Sequence, residues 1–164
     1  MYQVVDNFLD EQSYQRLKGN VTNDIAWFYR PHSGSDKDSS FFQHVIYHDN
    51  RITSDLYDSC LPVLEKLNVA ALLHLRLNLL INRFGNSKSD WHTDKFTNNH
   101  THKTAIMYFG ENNGSTLFKI NEQIEEVSCK DNRIVVFDSS ILHTAKHHTD
   151  VDRRIVLNIN YFPK

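Results

Sequence analysis

The sequence predicts a mainly β chain with some helix (α+β), a sandwich or barrel in which two N-terminal helices pack on one sheet. Three observations carry this. Leu73-His74-Leu75-Arg76-Leu77-Asn78-Leu79 alternates apolar and polar residues without a break, as a half-buried strand does. From residue 72 onward, short β-type runs are separated by polar turns, the rhythm of an all-β sandwich or barrel. Apolar residues at helical spacing occur only before that point.

Taken in order, Val4-Val5-Asp6-Asn7-Phe8-Leu9 reads as a short strand entering a turn. Asp10 can then cap a helix over Glu11–Lys18, with Gly19-Asn20 as its stop. Pro31–Ser40 is polar and rich in Ser and Gly, a loop, and Phe41–Tyr47 after it is a strand. A second helix is predicted from Thr53 or Ser54 to Leu67, because Leu56, Tyr57, Cys60, Leu61, Leu64 and Leu67 fall on one face. Pro62 lacks an amide donor and is the weak point of that helix. Further strands are expected at Thr104–Phe109, Ser115–Ile120, Gln123–Val127, Arg133–Phe137 and Arg154–Phe162. Glu111-Asn112-Asn113-Gly114 has hairpin chemistry, since Asn-Gly tolerates positive φ.

A chain of 164 residues fits one domain and needs no disulfide to fold. The net charge of −2, with no run of Lys or Arg, gives no electrostatic case for nucleic acid. Two scattered cysteines, Cys60 and Cys129, make no disulfide framework and point to a reducing, cytoplasmic setting. No signal-peptide pattern and no apolar run of the ~20 residues that cross a bilayer are present, so no membrane is expected.

The chemistry-bearing motif is His92-Thr93-Asp94. On an extended segment residues i and i+2 share a face, so both side chains can approach one metal ion. A second histidine from a neighbouring strand would complete two His and one carboxylate, the facial triad of non-heme Fe(II) sites with open coordination positions. The tripeptide alone is weak evidence: with ten His and fourteen Asp, about one His-x-Asp arises by chance. Indeed His148-Thr149-Asp150 is another, but no histidine follows it and it lies in a polar run that reads as a solvated loop. His92-x-Asp94 follows a strand and is itself followed, 49 residues after Asp94, by His143 at the end of Val135–Leu142, a strand and turn.

The last strand adds a cation. Ile155, Leu157, Ile159 and Tyr161 alternate as an apolar face to lie under the helices. Arg154, Val156, Asn158 and Asn160 form the opposite face and line a cavity, which favours Arg154 over Arg153 as a buried anion anchor. The competing reading is an edge-strand arginine in a surface ion pair.

This order, His92-x-Asp94, His143, Arg154 and a final strand ending in Asn160-Tyr161-Phe162, resembles the 2-oxoglutarate- and Fe(II)-dependent oxygenases, most closely their prolyl-4-hydroxylase-like branch and its small viral or phage members. The stretches Lys103–Phe109 and Asn132–Ser139 are similar to that branch's strands. The resemblance implies a double-stranded β-helix (jelly roll). It implies Fe(II) on His92, Asp94 and His143, with 2-oxoglutarate and O2 as co-substrates and ascorbate as an accessory reductant. Arg154 and Tyr108 would then hold the co-substrate's C5 carboxylate, and succinate and CO2 would be released as the substrate C–H is hydroxylated. Tyr108 as plain core is the alternative. Asn78, which shares its parity with His74 and Arg76, is a candidate cavity residue, as is Asn82, while Phe84 falls near a position where that branch often has Tyr. Asp94 favours hydroxylation, because related halogenases lack this carboxylate.

His100-Thr101-His102 has metal-like spacing but lies in the polar loop Lys95–Lys103, over the site mouth. Trp91 is open to packing or to substrate stacking. The expected substrate is a prolyl or other peptide side chain; the alternatives are a small metabolite or nucleobase, or a non-catalytic jelly-roll binding module. A cupin-type metal site is disfavoured, since no His-x-His followed by Glu fits a strand here.

Overall fold

The structure, a computed structural model, describes residues 1–23, 25–31, 40–82, 88–94 and 102–164. Its elements run β1 (Tyr2–Val5), α1 (Glu11–Thr22), β2 (Phe28–Arg30), β3 (Phe41–His48), β4 (Arg51–Ile52), α2 (Tyr57–Lys66), β5 (Val69–Ile81), β6 (Lys103–Phe109), β7 (Ser115–Ile120), β8 (Gln123–Ser128), β9 (Ile134–Asp138), β10 (Leu142–Lys146) and β11 (Arg153–Pro163). They form a large antiparallel sheet, β1-β9-β6-β11-β5-β3-β2 with β4 on β3, and a small one, β10-β7-β8. Bridges Lys88↔Lys146 and His92↔His143 lay an extended segment beside β10 as a further edge. The chain crosses between the sheets after β6, β8, β9 and β10, which is the winding of a jelly roll.

The long strands β5 and β11 pair along nearly their whole length, Leu77 opposite Leu157 and Arg76 opposite Asn158. One face of the pair carries Leu75, Leu77, Leu79, Ile155, Leu157 and Ile159 into a core shared with Tyr14, Leu17 and Val21 of α1 and Cys60, Val63 and Leu64 of α2. Both predicted helices thus cover one sheet. Each of these side chains, fully buried, contributes about 1.5–3 kcal/mol. The other face looks toward the small sheet, over a lesser core of Ile106, Tyr108, Phe118, Val135, Phe137 and Val156.

Several expected boundaries shift. Asp10 caps α1 as predicted, accepting from the Ser13 amide at 2.9 Å. The helix does not stop at Gly19-Asn20 but runs to Thr22. A helical glycine costs roughly 1 kcal/mol relative to alanine, and the burial of Val21, fully inside the core, outweighs it. The second helix starts at Tyr57 and not at Thr53 or Ser54, because Ser54 Oγ turns back to the Leu56 amide (3.2 Å) and to His44 Nε2 (2.7 Å). Pro62 sits inside this helix, which continues to Lys66.

Two turns are corrected. Glu111–Gly114 closes no hairpin: it carries the chain from β6 in one sheet to β7 in the other. Asn112 Oδ1 accepts the Gly114 amide at 3.0 Å, and the positive φ falls on Gly110 (90°). The hairpin is the next turn, Asn121-Glu122 between β7 and β8, with φ of 49° and 63°. The stretch His147–Asp152 is not a solvated loop at its start, since His147 and His148 are buried. Asn113 clasps it, its amide donating to the Asp150 carboxylate (2.9 Å) and its Oδ1 accepting from the Thr149 amide (2.8 Å). No helix among the described residues is long and apolar enough to cross a membrane.

Candidate metal centre and anion pocket

His92 and His143 face each other across the edge of the small sheet. Each amide donates to the other's carbonyl, at 3.0 and 2.9 Å, which fixes them as a hydrogen-bonded antiparallel pair. Their rings lie 4.4 Å apart. His92 Nδ1 sits 3.1 Å from the Asp90 carbonyl and His143 Nδ1 sits 2.9 Å from that of Ile141. A carbonyl only accepts, so each Nδ1 carries the proton and each Nε2 keeps its lone pair for a ligand. Those Nε2 atoms lie 3.9 and 3.8 Å from the Asp94 carboxylate oxygens. All three ligand atoms fall within 4.8 Å of one another, and no other such group of three occurs among the described residues.

Asp94 is held as firmly as the histidines. Its Oδ2 accepts from Thr104 Oγ1 (3.0 Å) and from Asn160 Nδ2 (3.2 Å), and Asn160 also donates to Thr104 (2.9 Å). Burial alone would raise the Asp94 pKa. His143, Arg76 and His92 and the Asn160 hydrogen bond outweigh it and hold the carboxyl below its usual range. Burial lowers the pKa of His143 against the pull of Asp94. Both shifts run toward an ionised Asp94 carboxylate and a neutral His143 imidazole, the protonation states a metal requires. Two nitrogens and one oxygen on one side, open toward a cavity, suit an octahedral non-heme Fe(II).

The cavity beside this trio is walled by Arg76 and Asn78 of β5, Thr116 of β7 and Arg154 and Asn158 of β11, as well as both histidines. The parity argument holds: Arg154 is 2% exposed, while Arg153 lies on the surface. Arg154 Nη1 donates to the Ser115 and Lys146 carbonyls, each at 3.2 Å, so it ties the two sheets together. Its guanidinium lies over the Tyr108 ring, 5.6 Å from the centroid. Its Nε is buried without a partner, and no carboxylate among the described residues pairs with it. A buried cation of this kind is costly unless an anion joins it. Tyr108 is fully buried, with its pKa pushed up to about 12 chiefly by burial. Its hydroxyl reaches Thr116 Oγ1 (2.8 Å), so Thr116, not Tyr108, forms the wall.

Of the other candidates, Asn78 lines the cavity with its Oδ1 buried and unpartnered. Asn82 does not line it, donating instead to the Val151 carbonyl at 3.0 Å. His74 accepts from Arg76 Nη1 at 2.8 Å, and burial, ahead of the Arg76 charge, lowers its pKa to about 4. His102 is buried outside the metal trio, its carbonyl accepting from the Ser139 amide at 3.0 Å. Trp91 packs under Lys88 Nζ, 5.4 Å from the ring centroid. Phe84, His100 and most of the Pro31–Ser40 and Lys95–Lys103 loops lie outside the described residues. The sequence reading missed Thr104 and Thr116 as supports of the site, and put Asn160 on the cavity face without its bond to Asp94. Asn160 shared the parity of Arg154; the two threonines emerge only from cross-strand register.

Comparison with known proteins agrees with this geometry. A family model described as the 2OG-Fe(II) oxygenase superfamily matches residues 79–162. No curated protein sequence matches the chain. The fold is shared with an oxidoreductase of the 2OG-Fe(II) oxygenase family from Burkholderia pseudomallei (TM-score 0.76, 10% identity, 98% of this chain and 85% of that one). It is shared with a Pseudomonas putida prolyl-4-hydroxylase (TM-score 0.67, 13% identity, 99% and 92%). A non-heme alpha-ketoglutarate-dependent epimerase from nogalamycin biosynthesis also has it (TM-score 0.70, 15% identity, 99% and 77%). At such identities these likenesses speak to the fold alone.

Proposed function

The chain belongs to the 2OG-Fe(II) oxygenase superfamily, and on that premise we propose that it is a dioxygenase that hydroxylates a substrate C–H bond at the expense of 2-oxoglutarate. One oxygen atom of O2 enters the substrate and the other enters succinate, with CO2 released. The observation that carries this reading is one cavity lined by His92, His143 and Arg154, with the Asp94 carboxylate within ligand reach of both histidines. Bound iron would supply O2 activation coupled to decarboxylation of 2-oxoglutarate.

What the chain itself does follows from its contacts. His92 and His143 offer Nε2 because their Nδ1 protons are committed to carbonyls. Thr104 and Asn160 orient the Asp94 carboxylate from behind. Arg154 receives the C5 carboxylate of 2-oxoglutarate, a two-point match for a guanidinium. Tyr108 contributes from beneath, with its ring under Arg154 and its hydroxyl on Thr116. Asp94 would add a carboxylate oxygen to the two histidine nitrogens that hold the metal.

For the substrate, a prolyl or other peptide side chain is the reading by analogy with the prolyl-4-hydroxylase fold. A small metabolite is the second reading, and Arg76 favours it, as argued below. The enzyme reading is tested by anaerobic titration with Fe(II) and 2-oxoglutarate, watched for the visible charge-transfer band. The wild type develops the band and His92→Ala does not; an undiminished band in that variant would sink the ligand assignment.

A further inference from the structure

The cavity holds more positive charge than iron and 2-oxoglutarate can use. Arg76 is the second guanidinium on its wall. Its Nε is buried with no hydrogen-bond partner, and among the described residues it makes no ion pair. Among the described residues its hydrogen bond runs from Nη1 to His74 Nδ1, an uncharged acceptor. Burial pulls its pKa down from the ordinary arginine value, against the pull of Asp94. The remaining positive neighbour, Arg30, stands on β2 with its Nε on Gln43 Oε1 at 2.9 Å and adds cationic character on the same side.

Register separates the two arginines by task. Arg154 lies opposite Leu80, while Arg76 lies opposite Asn158, one step from the His74 and Asn160 pair that leads to Asp94. Four residues of strand, about 13 Å, separate the levels of Arg76 and Arg154. Arg154 thus stands at the far end of the cavity and Arg76 at the metal end. Charges at the site also fall short by one anion. Fe(II), the Asp94 carboxylate, the 2-oxoglutarate dianion and Arg154 would sum to zero. Arg76 then leaves one positive charge in a low-dielectric space, and the C1 carboxylate of 2-oxoglutarate already has the metal as its counter-ion.

We propose that Arg76 anchors a carboxylate of the substrate, so that this enzyme hydroxylates a small organic or amino acid rather than an internal residue of a polypeptide. The inference rests on the oxygenase reading above. The substrate's carboxylate takes the free Arg76 donors, and its reacting C–H is held on the metal side of Asn158. Arg76 acts as a specificity determinant: it selects for an anion and takes no part in co-substrate binding.

The test uses the wild-type protein loaded anaerobically with Fe(II) and 2-oxoglutarate, and follows the shift of the charge-transfer band on adding L-proline, L-leucine, 4-methylpentanoate or phenylacetate, each beside its primary amide. At least one acid is expected to bind roughly 30-fold or more tightly than its amide, the scale of a desolvated charge pair. In Arg76→Met that preference falls to a few-fold, while half-saturating 2-oxoglutarate stays as in wild type; Arg76→Lys, which keeps the charge, retains part of the preference. A rise in half-saturating 2-oxoglutarate in Arg76→Met would assign this arginine to the co-substrate and overturn the inference. So would equal binding of acids and amides, no shift with any acid, or a larger shift with an end-blocked prolyl peptide. Absence of the band in wild type would remove the oxygenase reading, and this inference with it. A band without acid preference would remove this inference alone.

Discussion

The two faces of the β5–β11 ribbon are made by the same residues in alternation, yet they obey opposite rules. Toward the helices, Leu75, Leu77, Leu79, Ile155, Leu157 and Ile159 bring no polar side-chain atom into their core. Toward the small sheet, Arg76 Nε, Asn78 Oδ1, Arg154 Nε, Asn158 Oδ1 and Asn160 Oδ1 are buried without partners. Each such atom costs about 1–3 kcal/mol. The difference teaches where stability is generated and where it is spent on readiness to bind. The helix-covered face supports the strand pair against the cost of a cavity face that awaits ligand atoms.

Four measurements would break or sharpen that contrast. The largest effect should come from the apolar face. Leu157→Ala, at a fully buried central position, is expected to cost about 2–5 kcal/mol in denaturant unfolding, with half-saturating 2-oxoglutarate unchanged for the molecules that remain folded. Acid should come next. Since the folded pKa of His74 lies near 4, below the ordinary histidine value of about 6.5, the unfolded state binds the extra proton. The metal-free protein therefore gains stability as pH rises from about 4 to 6.5, by up to about 3 kcal/mol from this residue. A His74→Asn variant whose unfolding free energy kept the full slope would refute that origin. Third, Arg154→Met should raise half-saturating 2-oxoglutarate by roughly 30-fold or more, read from the charge-transfer titration. Smallest in stability is Asn158→Leu. It removes a buried, unpartnered carbonyl at similar volume, so the unfolding free energy should stay within about 1.5 kcal/mol of wild type or rise. Succinate release should drop all the same. A loss as large as that of Leu157→Ala would erase the distinction between the faces.

What the sequence made legible was whatever repeats with the period of a strand. Alternation in residues 73–79 and 154–161 gave β5, β11 and the inward direction of Arg154, because a single residue's slip would reverse every side chain. The order of His92, Asp94 and His143 likewise anticipated the cluster. Features decided by distant partners stayed hidden. Val21 carries α1 past its glycine only because a core awaits it. Asn113 does not turn a hairpin but binds Thr149 and Asp150, far along the chain. His148 is polar by type and buried by that same clasp, close under Gly114. Arg76 was readable as cavity-facing, but its lack of an ion pair among the described residues is a property of everything around it.

The attachment of residues 88–94 has a consequence for metal uptake. Two of the three candidate ligands ride on this edge, which is joined to its neighbours through the Ser89, His92, His143 and Asp94 amides. So short a ladder opens locally far more readily than the whole molecule unfolds. Each opening disassembles the trio, so apparent affinity for the ion is the intrinsic affinity scaled by the closed fraction. Conversely, an ion gripped by His143 on one side and His92 and Asp94 on the other is a stitch across the seam. Loading the site and sealing the sheet edge are then a single equilibrium, and a chelator acts as a denaturant of one edge only, visible as faster amide exchange confined to that ladder.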